Sequence, residues 1–330
     1  ISKLTSDQVK SLTTDQIANL RSTQMLAIST DNISKLRTDQ IVALTSAQVG
    51  ALSVDQIKNL TTDQVRMIET RDLAALKSDQ IRGLTTDAIV KLTTDQIAGL
   101  SSAQLGSLRT DQIAKLTTDQ VRSIETRDLV GLSTDQIRTL SSDAIGKLSS
   151  DQVVALSSGQ FGSLTSDQIR SLSSDQIRAI ETRDIAGLTT DQIRRFTTDQ
   201  ISKITTQQLG AMTSLQVAAI SSDAIGKMTS DQIVGLTSGQ VSGLTSDQIK
   251  GLATDQIKVM ETRDLVRLSS DQVKFLTTDQ LRALTSDQVG ALSTLQLQAV
   301  STDNISKLRT DQIVALTSAQ VGALSVDQIK

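Results

Sequence analysis

The apolar residues of this chain follow a period of eight from Leu4 to Lys330. This period divides the chain into 40 complete octads and a forty-first that lacks its last position. Positions 1 and 6 are apolar in all 41 octads, and position 3 is Ser or Thr in 39. Position 4 is Asp in 28 octads and position 5 is Gln in 32. A fixed short period of this kind predicts one quasi-one-dimensional repeat array.

Neither a continuous helix nor a continuous strand suits this period. Eight residues at about 100° each shift the apolar stripe by about 80° per octad, so a continuous helix would not keep it on one face. Positions 1 and 6 have opposite parity, so a continuous strand would place them on opposite sides. A β-solenoid of short strands is an alternative, although Asp, Gln, Ala and Lys form strands poorly.

A short capped helix fits the octad best, as the representative 116–123 shows. With Thr117 as N-cap, Gln120 occupies N3 and completes a capping box. Leu116 and Val121 then form the hydrophobic staple, and Asp119 meets the positive end of the helix dipole. Because so short a helix is marginal alone, it must bury its two apolar residues against neighbours. The pattern predicts an all-α superhelical solenoid of short capped helices, continuous over residues 1–330.

The role of position 3 stays open at this point. It carries a hydroxyl more often than position 2, and in Arg37-Thr38-Asp39-Gln40 only Thr38 has one. Either the N-cap shifts by one residue in such octads, or the position-3 hydroxyl bonds the end of a neighbouring helix.

A second period lies above the first. Octads with Asp-Ala-Ile or Asp-Asn-Ile start at residues 28, 84, 140, 220 and 300, so super-repeats hold seven or ten octads. The longer super-repeats contain an extra three-octad cassette, 196–219 and 276–299. If the Asp-Ala-Ile and Asp-Asn-Ile octads all lie on the same side of the solenoid axis, three octads form about one turn. A turn then holds roughly 24 residues and up to about 28. Residues 301–330 repeat 29–58 residue for residue, so we expect a longer array.

Composition removes most catalytic chemistry. The chain has no Cys and no His, which excludes disulfides, thiolate nucleophiles, zinc–cysteine sites and the commonest general base. No unique cluster of side chains marks an active site, so we expect no enzyme activity and no cofactor. The 33 basic and 36 acidic residues are interspersed without a basic run, which argues against nucleic acid as a partner. No apolar run reaches about 18 residues, so we expect no membrane span.

The rows of Asp and of Ser/Thr have a binding interpretation and a structural one. Ca²⁺ takes six to eight oxygen ligands, but each octad offers one carboxylate at position 4 and no Gly-rich loop. An ordered hydroxyl array could bind ice or glycans. Helix capping accounts for both rows more simply.

Four octads are rewritten as Glu-Thr-Arg-Asp and are the candidate contact sites. One hypothesis is a recurring docking point between chains through Arg–carboxylate pairs. The other hypothesis is a variant cap, with Asp at N3 and Arg bridging to an adjacent turn. We favour it because an exposed ion pair contributes only about 0–1 kcal/mol to stability. The candidate inter-chain contacts are Glu69, Arg71, Asp72, Glu125, Arg127, Asp128, Glu181, Arg183, Asp184, Glu261, Arg263 and Asp264.

The run Leu-Thr-Thr-Asp-Gln-Ile-x-x-Leu, interrupted by Ile-Glu-Thr-Arg-Asp-Leu, resembles very long repetitive surface or exported proteins of bacteria. These proteins consist of tandem Leu-Thr-x-x-Gln-Ile/Val-x-x octads, and most have no assigned function. The resemblance covers residues 4–330 and carries no catalytic residues. It implies an extracellular or cell-surface location and a structural role.

The sequence therefore favours a structural rod or filament-forming repeat protein. Solenoids that lack polar capping repeats tend to associate, so we expect self-association into filaments or lateral arrays. The alternative is an adhesive or ligand-binding stalk that uses positions 7 and 8, including a hydroxyl array for ice or glycans.

Overall fold

The computed structural model describes residues 1–330 as short α-helices with no β-strand. There are 41 helices of four to six residues, one in each octad. They form two compact units, the N-terminal unit Ile1–Ser171 and the C-terminal unit Leu172–Lys330. The predicted all-α solenoid of short helices is confirmed.

The N-terminal unit contains α1 to α21, which are Ser6–Ser11, Thr14–Ala18, Ser22–Leu26, Thr30–Ile33, Thr38–Val42, Ser46–Gly50, Val54–Lys58, Thr62–Met67, Thr70–Leu73, Ser78–Gly83, Thr86–Lys91, Thr94–Ala98, Ser102–Ser107, Thr110–Ile113, Thr118–Ser123, Thr126–Leu129, Thr134–Thr139, Ser142–Gly146, Ser150–Ala155, Ser158–Gly162 and Ser166–Ser171. The C-terminal unit contains α22 to α41, which are Ser174–Ala179, Thr182–Ala186, Thr190–Ile193, Thr198–Lys203, Thr206–Ala211, Ser214–Ala218, Ser222–Ile225, Ser230–Val234, Ser238–Ser242, Ser246–Gly251, Thr254–Val259, Thr262–Leu265, Ser270–Lys274, Thr278–Ala283, Ser286–Ala291, Thr294–Gln298, Thr302–Ile305, Thr310–Val314, Ser318–Ala323 and Val326–Ile329.

Each helix begins at position 3 of its octad, directly after an N-cap at position 2. In α15, Thr117 Oγ1 accepts from the N–H of Gln120 at 3.2 Å, and Gln120 Oε1 accepts from the N–H of Thr117 at 2.8 Å. Leu116 and Val121, the two residues of the staple, are buried. The predicted capping box is therefore present.

The N-cap does not shift where position 2 lacks a hydroxyl. The helix α5 begins at Thr38, with Arg37 as N-cap and no side-chain cap bond. The N–H of Arg37 still donates to Gln40 Oε1 at 2.8 Å. The Gln half of the capping box is thus kept without the hydroxyl half, and the first of the two alternatives for position 3 is wrong at this octad.

The corners between helices need no special backbone conformation. The C-cap of α15, Ile124, is extended at φ −63° and ψ 126°, and its N–H donates to the carbonyl of Val121 at 3.3 Å. No residue of the chain has a positive φ. Because L-residues of every kind adopt such extended angles, the octad can turn its corner without Gly or Pro.

The core is the row of residues at positions 1 and 6. Within each unit, a helix packs on the helix three places further along the chain, for example α12 on α15 and α27 on α30. Val121 at position 6 is fully buried and Leu116 at position 1 is 6% exposed. Each such side chain stabilises the fold by about 1.5–3 kcal/mol when fully buried.

Close backbone contacts give the length of a turn. A Cβ on Gly131 would collide with the carbonyl of Ser102, and a Cβ on Gly106 would collide with the carbonyl of Gly131. Gly131 thus lies against one residue 29 places and another 25 places before it. Since stacked repeats contact only their neighbours, a turn holds about 27 residues, midway between these offsets. Gly251 shows the same two offsets in the C-terminal unit, so the turn lies near the upper end of the range expected from the sequence.

Candidate interaction site

Gln at position 5 links each turn to the turn before it. Gln120 Nε2 donates to the carbonyls of Ile89 at 2.8 Å, Leu92 at 2.7 Å and Val90 at 3.4 Å. These carbonyls lie at the C-terminal end of α11, where the last carbonyl groups have fewer donors within the helix. The carbonyl of Ile89 also accepts from the N–H of Leu92, at 3.2 Å. Gln120 is 2% exposed. One amide therefore caps its own helix through oxygen and holds a helix end of the previous turn through nitrogen.

The sequence reasoning missed this second bond of the Gln side chain. The signal was the absence of Glu, because no octad has Glu at position 5. Glu completes a capping box as well as Gln does, but an ionised carboxylate has no N–H to donate. The use of Gln and never Glu to complete the capping box indicates that position 5 of these octads needs a donor as well as an acceptor.

The position-3 hydroxyl also reaches a neighbouring turn. Thr118 Oγ1 donates to Asp143 Oδ2 at 2.8 Å, 25 residues later. In the C-terminal unit, Ser286 Oγ donates to Asp311 Oδ2 at 2.9 Å. The second alternative for position 3, a bond to a neighbouring helix end, is therefore right at these octads.

The Glu-Thr-Arg-Asp octad replaces this arrangement, as α16 shows. Its N-cap Glu125 makes no side-chain cap bond. Arg127 Nη2 lies 2.7 Å from Glu125 Oε2, and Arg127 Nε lies 3.4 Å from Asp128 Oδ2. Ser102 Oγ of the preceding turn donates to Asp128 Oδ1 at 2.7 Å. Asp is at N3 as the variant-cap hypothesis stated, but Arg pairs within its own octad and the Asp makes the contact with the adjacent turn.

The four copies divide into an exposed pair and a buried acid. The Arg side chains are 64–76% exposed, the Glu side chains 38–47% and the Asp side chains 3–8%. Asp72 accepts from Ser46 Oγ, while Asp184 Oδ1 is buried without a hydrogen-bond partner. A second chain could reach only the Arg and Glu members, which are Glu69, Arg71, Glu125, Arg127, Glu181, Arg183, Glu261 and Arg263.

The turn length places the two clusters of each unit on the same side of that unit. In the N-terminal unit, the interval from Glu69 to Glu125 equals two turns of about 28 residues each. In the C-terminal unit, the interval from Glu181 to Glu261 equals three turns of about 27 residues each. With about 8–10 Å between stacked helices, the clusters repeat about 16–20 Å and about 24–30 Å apart.

A second kind of arginine ion pair occurs in octads with Arg at position 2. Arg109 Nε and Nη2 lie 3.0 and 3.2 Å from the two carboxylate oxygens of Asp111, and Nη1 donates to the carbonyl of Arg82 in the preceding turn. The hydrogen bonds from Arg109 lower the pKa of Asp111. Arg309, with a smaller contribution from Ser286, lowers the pKa of Asp311 to about 2.

Two further features bear on possible ligands. No group of three or more acidic side chains lies close enough together to hold a metal ion. None of the helices has the length and the apolar character that crossing a membrane requires.

Comparisons with solved structures give no usable likeness. The structure of APUM23-GGAGUUGACGG is 13% identical, with 94% of this chain and 71% of that chain covered and a TM-score of 0.23. The structure of APUM23-GGAAUUGACGG is 11% identical, with 94% and 86% covered and a TM-score of 0.19. TM-scores this low carry no argument about fold or function. No curated protein matches the sequence.

A family match covers most of the chain. The ALTTAQ repeat matches residues 25–62, 65–102, 121–158, 177–214, 201–238, 257–294 and 294–326. The matches lie in both units and together include well over half of the residues. Each matched stretch consists of the capped octads described above. The chain belongs to the ALTTAQ repeat family.

Proposed function

We propose that this chain is a structural rod or filament-forming protein that self-associates and has no catalytic activity. The observation that supports this most is the junction between turns. Each turn offers Gln amide donors to the turn before it and helix-end carbonyl acceptors to the turn after it, as Gln120 and Ile89 illustrate. Because the same junction recurs along each unit, the architecture is open-ended, which is typical of scaffolds.

The exposed Arg–Glu pairs are the proposed contacts between chains. Each pair contains both charges, so a second copy related by a two-fold axis can meet it with Glu against Arg. One exposed pair contributes only about 0.2–1 kcal/mol. Two clusters on the same side of a unit engage together, which raises the overall affinity through multivalency.

A bacterial cell-surface location is part of the proposal. It rests on the octad resemblance, which covers residues 4–330. The alternative, an adhesive or ligand-binding stalk, predicts chains that stay separate at every concentration.

Negative-stain electron microscopy of the purified chain tests the proposal. We expect uniform fibres at 50 mM NaCl and fewer lateral contacts at 500 mM, because salt screens exposed ion pairs. The test variant carries Arg71→Ser, Arg127→Ser, Arg183→Ser and Arg263→Ser. The control removes four exposed arginines at position 7, through Arg82→Ser, Arg138→Ser, Arg170→Ser and Arg282→Ser.

The two variants lose the same number of positive charges, but only the test variant loses the Arg–Glu pairs. Loss of lateral association in the test variant alone supports the proposed contacts. Dispersed single particles of the unmodified chain under every condition would overturn the filament proposal and favour the stalk.

A further inference from the structure

A groove of about 380 Å³ lies beside the third Glu-Thr-Arg-Asp octad, entirely within the C-terminal unit. Arg178 and Arg183 line it from one turn, and Thr205 and Gln207 line it from the next. Arg178 is exposed and takes part in no ion pair. Arg183 uses Nη2 for Glu181, at 2.7 Å. Since a guanidinium has five N–H donors, both arginines keep donors for a ligand.

The wall opposite Arg183 differs from the walls of the other three clusters. The helix α26 packs on α23 and places Gln207 one turn after Arg183. At the same position of the octad, the other clusters have Asp95, Asp151 and Asp287. Gln occurs at position 4 in no other octad. This groove therefore lacks the carboxylate that would repel an anion at the other three sites.

The charges of the groove leave one guanidinium available for an anion. Arg183 already has Glu181 at 2.7 Å and the buried Asp184 at 3.7 Å, whereas Arg178 has no carboxylate partner. An Asp in place of Gln207 would add a negative charge to this wall. The amide of Gln207 and the hydroxyl of Thr205 can each donate and accept hydrogen bonds, which suits a ligand with hydroxyl groups.

We propose that this groove binds a sugar acid, that is, a carboxylate carried on a polyhydroxylated ring. The carboxylate pairs with the guanidinium groups of Arg178 and Arg183, which match its planar geometry. The ring hydroxyls contact Gln207 and Thr205. The groove volume lies within the range of small-ligand sites. This binding function goes beyond the structural role, and it shares Arg183 with the proposed contact between chains, so a sugar acid and a second chain compete for that side chain.

Saturation-transfer difference NMR with D-glucuronate tests the site, because it observes the ligand directly. We expect saturable transfer with a millimolar dissociation constant and weaker binding at 300 mM NaCl. D-glucose, which lacks the carboxylate, gives no saturable transfer. Gln207→Asp installs the residue that the equivalent octads already carry, so it should fold normally and weaken binding by about tenfold or more.

A reciprocal variant distinguishes binding at this specific groove from a general effect of the protein's net charge. Asp287→Gln removes the carboxylate one turn after Arg263, where Lys258 supplies the second positive charge, and should create a second binding site. Asp247→Gln makes the same charge change on α31, which packs on α28 and α34 and on no cluster helix, and should leave binding unchanged. Absence of saturable transfer in the unmodified chain, equal binding by Gln207→Asp, or equal gains from Asp287→Gln and Asp247→Gln would each overturn the proposal.

Discussion

Two consecutive octads of the N-terminal unit, 116–123 and 124–131, share a core and differ in how they hold the previous turn. Val121 and Leu129 occupy position 6 in the two octads, and both are fully buried. In the first octad, Gln120 donates to three carbonyls of the earlier turn. In the second, Asp128 accepts one bond from a Ser of the earlier turn. The hydrogen-bond direction between turns is reversed while the apolar packing is unchanged.

This difference shows that the apolar residues and the polar residues of the octad have separate tasks. Apolar burial is non-directional, so it tolerates either octad. The polar groups decide how many bonds join the turns and in which direction. The Glu-Thr-Arg-Asp octad gives up the Gln donors and places an exposed Arg–Glu pair on the surface instead.

Replacing Gln120 by Glu should have the largest effect on this comparison. The Glu can still complete the capping box but cannot donate, and it places a carboxylate against buried carbonyls. We expect a loss of about 2–4 kcal/mol in the free energy of local opening, from unsatisfied buried acceptors and desolvation of the charge. Hydrogen exchange of amides in α11 and α15, followed by mass spectrometry, measures it.

Gln16 provides the matched control, because it forms the same capping box and is exposed. Gln16→Glu should change local exchange by less than about 0.5 kcal/mol. Equal effects of the two substitutions would mean that the bonds between turns contribute nothing.

Replacing Ser102 by Ala tests the reversed bond in the second octad. The change leaves Asp128 Oδ1 buried without its donor. We expect the free energy of local opening, measured by hydrogen exchange, to fall by about 1–2 kcal/mol. This is less than for Gln120→Glu, because one bond is lost instead of three. Ser150→Ala is the control, because Ser150 occupies the same position of its octad and its hydroxyl makes no such bond. It should change the free energy of local opening by less than about 0.5 kcal/mol. A larger loss at Ser150 than at Ser102 would contradict the assignment.

The smallest expected effect concerns the octads with Arg at position 2 and Asp at position 4. These octads keep the Gln half of the capping box and add an exposed ion pair between that Arg and that Asp. The pKa of Asp311 is about 2 in the folded chain, chiefly because Arg309 donates to it. An unfolded Asp has a pKa of about 3.9. The pair therefore stabilises the fold above about pH 4, and its contribution is lost as the pH falls toward 2.

Carbon-detected NMR titration of the Asp311 carboxyl measures this pKa directly. Arg309→Thr installs the residue that is common at position 2 and removes the guanidinium. The pKa of Asp311 should then rise toward about 3.9. An unchanged pKa in this variant would show that Arg309 is not its cause.

The sequence predicted the parts of the fold that lie within one octad. The cap at Thr117, the box at Gln120 and the staple of Leu116 and Val121 all follow from spacings of three to five residues. Local rules for helix ends cover such spacings. Periodicity alone also identified the core residues, because positions 1 and 6 are apolar without exception.

What the sequence could not predict lies between turns. The bond from Gln120 to Ile89 spans 31 residues and the bond from Ser102 to Asp128 spans 26. Which residues meet across a turn depends on the length of the turn, and the eight-residue period does not fix that length. The burial of Asp128 and the pairing of Arg127 within its own octad depend on the same contacts.

The length of the turn also limits how such a chain can lengthen. Insertion of one octad would rotate everything after it by about 107°, and would carry the exposed pairs to another side. Insertion of three octads, about 24 residues, would leave a rotation of only about 40° from a full turn of about 27 residues. The cassettes at 196–219 and 276–299 have this length. Growth by three octads therefore lets the chain lengthen while the pattern on its surface changes direction far less than it would with a single octad.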